Sequence, residues 1–153
     1  MVDPARTGVR AGRVVGLLTA TLAVATVAFG WSGAYDALRW LLEILGIDAL
    51  APVRVLLWLH LGLVAITRYV TAYVLGSLIG VVYDWLDEPS LGHLFVMVAP
   101  LAVLDGVVSG LDSASPVVGV AFGLAWFAFV PAFVRLHEPG GDHRARTRRI
   151  EEL

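Results

Sequence analysis

Four long apolar stretches, at residues 14–31, 52–83, 91–110 and 116–136, are separated by charged breaks in a chain that is 58% hydrophobic. A helix crosses the hydrocarbon core with about 20 apolar residues, and in lipid every backbone N–H and C=O must be satisfied within the segment, which favours helices. The expected architecture is therefore an all-α, integral membrane four-helix bundle occupying residues 1–138, followed by an Arg-rich cytoplasmic tail at 139–153. With 153 residues the spans and their connections use nearly the whole chain, leaving no room for a second soluble domain.

Charge placement gives an orientation. Arg6, Arg10 and Arg13 precede the first run, and Arg135, Arg144, Arg146, Arg148 and Arg149 follow the last, whereas the connections on the opposite side carry little positive charge. Loops on the cytoplasmic side carry the Arg and Lys excess, so the chain is expected in a cell membrane, multi-pass, with both termini cytoplasmic. The opening also has elements of a signal peptide, but the small triplet Ala23-Val24-Ala25 sits inside the apolar run rather than after it. The tail arginines either attract anionic lipid or simply fix topology.

Between the first two spans, Tyr35, Leu38, Leu41, Leu42 and Leu45 recur at three-to-four spacing, while Asp36, Arg39 and Glu43 share another face. This pattern predicts an interfacial amphipathic helix over 34–46, capped by Ser32 and ended by Gly46, or a connector of the same form packed over the bundle mouth. Asp48 is the expected cap of the second long helix and Pro52 suits its first turn. Residues 52–83 would form a helix of roughly 48 Å, longer than the ~30 Å core, with no turn signal around Arg68 to split it. Pro131 is an expected kink near the end of the fourth span.

Ionisable groups within spans are costly and are usually paired or functional. Arg68 and Asp105 lie about 15 residues on either side of the turn near 84–90, so an antiparallel hairpin puts them at equal depth. An intramembrane ion pair is expected there, in a polar stripe containing Thr67 and Thr71 on one helix and Ser109 and Asp112 on the other. The same register sets His60 near Asp112. The stripe is either a static clasp or an ion path in which Asp105 changes protonation and Arg68 modulates it.

At the opposite depth, His93 and His137 are expected to cluster with Asp87 and Glu88, although their spacing matches no metal motif. His60 and His93 lie too far apart in depth for one haem, and no metal or cofactor is expected. Cysteine is absent, excluding thiolate chemistry. There is no phosphate loop, GxSxG elbow, HExxH or GxGxxG, and near-neutral charge of −2 gives no nucleic-acid signal.

GxxxG pairs occur at Gly12–Gly16, Gly76–Gly80, Gly106–Gly110 and Gly119–Gly123, and small residues let helix backbones approach closely in lipid. Ala20, Ala23, Thr26 and Ala28 form a further small face on the first span, leaving room for a homo-oligomer or a larger membrane complex. The five Trp and most of the Tyr, Trp31, Trp40, Tyr83 and Trp85 among them, are expected as interfacial anchors. The functional expectation is a non-enzymatic structural or accessory subunit. The alternative is a small proton- or ion-coupled transporter or channel using Arg68 and Asp105, and a third reading is an intramembrane enzyme using the cluster of His93 and His137.

Overall fold

The computed structural model describes residues 3–46, 50–86 and 90–137. They form α1 (Pro4–Phe29), α2 (Trp31–Ile44), α3 (Leu50–Asp84), α4 (Leu91–Asp112), α5 (Pro116–Phe127) and α6 (Phe129–His137), with no strand among them. Four segments are long and apolar enough to cross a membrane: Pro4–Phe29, Val55–Asp84, Leu91–Asp112 and the combined Pro116–His137. The chain is a multi-pass membrane protein folded as an all-α four-helix bundle.

Side-chain distribution is that of a lipid-solvated protein. Large apolar residues such as Leu17, Leu63, Leu104 and Leu124 are more than 60% exposed in mid-helix. The inner face of α1, by contrast, is Thr7, Gly8, Ala11, Gly12, Val15, Gly16, Thr19 and Ala23. Since lipid tails are as apolar as leucine, burial of leucine gains little here and close backbone packing becomes the main cohesive force.

That packing selects the helix pairs. α1 runs antiparallel to α3, with Gly8, Gly12 and Gly16 meeting Gly80, Gly76, Ala72 and Tyr69 in descending order. α4 runs antiparallel to α5, with Gly106 and Gly110 against Gly119 and Gly123. A shared core that includes Ala11, Val15, Ala72, Val98, Ala102 and Phe129 joins the two pairs. The expected close hairpin of α3 and α4 does not form, because their backbones touch at few positions. Each is held instead by a glycine seam to another helix.

Several boundaries differ from expectation. α1 begins ten residues before the apolar run, because Asp3 caps it by accepting from the Ala5 N–H at 3.0 Å and Pro4 occupies the first turn. Arg6, Arg10 and Arg13 are therefore helical. α2 follows α1 after the single residue Gly30, so Ser32 lies inside α2 rather than capping it. Gly46, with φ of +71°, ends α2 in the left-handed region that glycine adopts without cost. Asp48, expected as the cap of α3, lies outside the described residues, as does the tail 139–153.

α2 packs Tyr35 and Leu42 against Val53 and Leu57 of α3, while Trp40, Leu41, Ile44 and Leu45 stay exposed. Pro131 does more than kink the last span. It has no N–H to offer the Phe127 carbonyl, and the helix breaks at Ala128, whose own N–H reaches back only three residues to Ala125 at 3.3 Å. Pro4, Tyr83 and His137 gather at one end of the bundle: the Pro4 carbonyl abuts Gly80, and the Tyr83 and His137 rings are 6.1 Å apart. This is the terminal end.

Candidate functional site

Asp105 and Ser109 are one turn apart on α4, and Phe122 and Trp126 are one turn apart on α5, so the antiparallel pair presents four side chains on adjoining faces. Arg68 of α3 reaches into this group. Its Nη1 donates to Asp105 Oδ1 and its Nη2 donates to Ser109 Oγ at 2.9 Å. Its guanidinium carbon lies 4.7 Å from the centre of the Phe122 ring, within cation–π range. Trp126 Nε1 donates to Asp105 Oδ2 at 2.9 Å, and the Ser109 hydroxyl donates to Oδ1 at 3.4 Å.

Every strong partner in this cluster is internal. The ion pair is mostly buried, with side-chain exposure of 26% for Arg68 and 16% for Asp105. A buried carboxylate is tolerated when its lone pairs are filled and its countercharge is close, and Asp105 has donors on both oxygens. Because α3 and α4 diverge, a cleft of about 310 Å³ remains between them, bordered by Thr19, Thr67, Arg68, Thr71, Asp105 and Trp126 among leucines. The Thr19 hydroxyl is turned away, donating to the Val15 carbonyl at 3.0 Å.

Arg68, Asp105, Ser109, Thr67 and Thr71 thus share one region. His60 and Asp112 do not join it: both are exposed and neither has a hydrogen bond or ion pair with the other. Equal depth brings side chains together only where two helices stay in contact, and α3 instead follows α1. At the terminal end, His93 is bonded to Ser90 Oγ at 2.8 Å. His137 stacks on Phe133 at 5.4 Å and meets the Tyr83 ring edge-on, with its Nδ1 buried and unbonded among the described residues. The two histidines therefore have separate partners, and Asp87 and Glu88 lie outside the described residues. Among the described residues no group of three or more metal-ligating side chains occurs.

Trp126 of this cluster and Tyr83 at the terminal end lie where the sequence alone does not put them. Trp126 was grouped with the interfacial tryptophans, yet it is 4% exposed, and Tyr83, expected as an anchor, is buried beneath Phe133. A signal for Trp126 existed. Counted across the turn at 113–115, it lies within about one helical turn of the depth of Asp105, and a tryptophan buried in an apolar span needs an acceptor for its N–H. Trp126→Phe is expected to cost about 1–2 kcal/mol, because one charge-assisted bond is lost while the ring volume is largely kept. Unfolding in bicelles would measure it, and a change below a few tenths of a kcal/mol would show that the bond is not made in lipid.

Comparison of the chain with family models, with curated proteins and with solved structures finds no match.

Proposed function

We propose that this small polytopic membrane protein is a non-enzymatic structural or accessory subunit, in which the cluster around Arg68 and Asp105 clasps α3 to the α4/α5 pair. The observation that carries this reading is the third donor, Trp126 Nε1 on Asp105 Oδ2. With Arg68 and Ser109 on the other oxygen, the carboxylate is already spent on internal bonds, whereas a carrier needs a group that ligand or proton can reach and leave. A saturated network of this kind rigidifies and specifies one arrangement.

The same reading assigns the terminal end, which carries Arg6, Arg10, Arg13 and Arg135, to the cytoplasm by the positive-inside rule. Association with further copies or with a larger complex is part of the proposal. The small face of α1 is less available for it than its sequence implied, since Ala23 is buried and Ala20 and Thr26 are half-buried within the bundle. The outer side of the α4/α5 seam, an apolar groove of about 830 Å³ that includes Gly106, Gly110, Gly119 and Gly123, is the face left for a helix or lipid.

One observation favours a second reading, a small proton- or ion-coupled transporter or channel: the cleft that brings Thr67 and Thr71 to the edge of the ion pair. Proteoliposomes enclosing a pH-sensitive dye, with an imposed membrane potential, separate the two. The accessory reading expects no flux above empty vesicles from either the wild-type chain or Asp105→Asn. A wild-type flux that Asp105→Asn abolishes would replace it with the transporter reading.

A further inference from the structure

Arg6, Arg10 and Arg13 follow one another at four- and three-residue steps on α1, so they line one helix face, and all three are exposed. The stripe is not a tail ahead of the bundle. Ala11 and Val15, which interleave with it on the buried side of α1, pack in the same core as Val98 and Ala102 of α4 and Phe129 of α6. Arg10 and Arg13 therefore stand beside the spanning region with their heads outward, the reverse of the usual rule that charges within spans face the bundle interior.

Among the described residues, none of the three is held in a close, buried ion pair. Arg6 has a distant contact with Asp3 at 3.6 Å, in which both side chains are largely exposed. Arg13 rests over the Tyr73 ring of α3 at 5.6 Å, which orients the guanidinium, and it has no carboxylate partner among the described residues. Arg10 has no hydrogen bond or ion pair among the described residues. Side chains on a helix lean toward its N-terminus, which for this stripe is the terminal end, so the guanidinium groups extend toward the headgroups of that leaflet as snorkelling side chains do.

The face continues into apolar residues, with the hydroxyl of the intervening Thr21 folded back onto the Leu17 carbonyl at 2.7 Å. Leu17 is 61% exposed and Val24 36% exposed, and both fall on the same side of α1 as the arginines. From Arg13 to Val24 is a rise of roughly 16 Å, about half of the ~30 Å hydrocarbon core and so the depth that one leaflet's acyl chains fill. Charge and apolar surface are in the order in which a phospholipid carries its phosphate and its chains.

We propose that the α1 face formed by Arg10, Arg13, Leu17 and Val24, with Tyr73 at its side, is a binding site for one anionic phospholipid of the leaflet facing the terminal end. The site is separate from the clasp at Arg68 and Asp105 and does not depend on the function assigned to it. The phosphate bridges Arg10 and Arg13, and the chains lie along Leu17 and Val24.

The test is the selectivity of the full chain, reconstituted in phosphatidylcholine vesicles, for spin-labelled phosphatidylglycerol over spin-labelled phosphatidylcholine. The expected preference is roughly five- to thirtyfold, equivalent to about 1–2 kcal/mol for one or two arginines at the surface. Arg10→Gln with Arg13→Gln should bring it close to unity, whereas Arg10→Lys with Arg13→Lys, which keeps the charge and reports on folding, should retain most of it. Replacing Arg144, Arg146, Arg148 and Arg149 by Gln should leave at least half. The proposal is overturned if the wild-type chain shows no preference, if the tail variant loses it while the α1 variant keeps it, or if inorganic phosphate at millimolar concentration displaces the lipid, since the site would then recognise a free anion rather than a headgroup with chains.

Discussion

Asp105→Ala is expected to destabilise the bundle in lipid by about 3–5 kcal/mol, the range seen when one partner of a buried ion pair is removed. Two groups are stranded at once: the Arg68 guanidinium keeps only Ser109 and the Phe122 face, and the Trp126 N–H loses its acceptor. Arg68→Ala should cost less, because Asp105 would still accept from Trp126 and Ser109. The double variant should fall well short of the sum of the singles, with a coupling of at least 1 kcal/mol in a double-mutant cycle. This asymmetry separates a three-donor clasp from a simple pair, for which either deletion would be equivalent. Mild, additive effects, with coupling below about 0.5 kcal/mol, would mean that the two groups are not joined in the membrane, and the accessory reading would lose its main support.

How much of this was legible in the sequence depends on which physical constraint wrote it there. Bilayer thickness writes directly into run length, so the four apolar spans could be read from the lengths of the apolar stretches. The depth of Arg68 and Asp105 was likewise readable from their equal distance to the 84–90 turn. Adjacency was not. An arginine side chain long enough to pass over Phe122 meets Asp105 although α3 and α4 hardly touch, and where the backbones diverge shorter groups such as Asp112 do not follow. The start of α1 was hidden because arginine is read as a flank of a span, whereas Asp3 and Pro4 had already begun the helix. The same habit concealed Gly8, which extends the Gly12–Gly16 pair by one turn and meets Gly80 across the seam. Glycine spacing shows that a helix has a close-packing face. It does not name the partner, and here the ladder of Gly8, Gly12 and Gly16 finds its match on α3 only once both helices are in place.

That ladder gives the second large effect. A Cβ added at Gly76 would lie 2.6 Å from Gly12 Cα and 2.7 Å from the Gly8 carbonyl oxygen. Both obstacles are backbone, so no rotamer change relieves them and α1 must move away from α3. Gly76→Ala is therefore expected to destabilise the bundle by about 3 kcal/mol, the upper part of the usual overpacking range, and Gly76→Leu by more. Gly62 lies on the same helix with nothing within 4 Å of an added Cβ, so Gly62→Ala should instead stabilise by about 0.5–1 kcal/mol through helix propensity alone. Opposite signs from the same substitution on one helix would locate the cohesion of this protein in backbone contact rather than in side-chain burial. The seam and the clasp are also mechanically linked, since Arg68 lies about two turns along α3 from Gly76. Displacing α3 from α1 shifts the guanidinium relative to α4 and α5, whose own seam is untouched. The coupling between Arg68 and Asp105 should consequently fall in a Gly76→Leu background and persist in Gly62→Ala. If it is unchanged in both, the clasp is held by α4 and α5 alone, and α3 is a passive donor of one side chain.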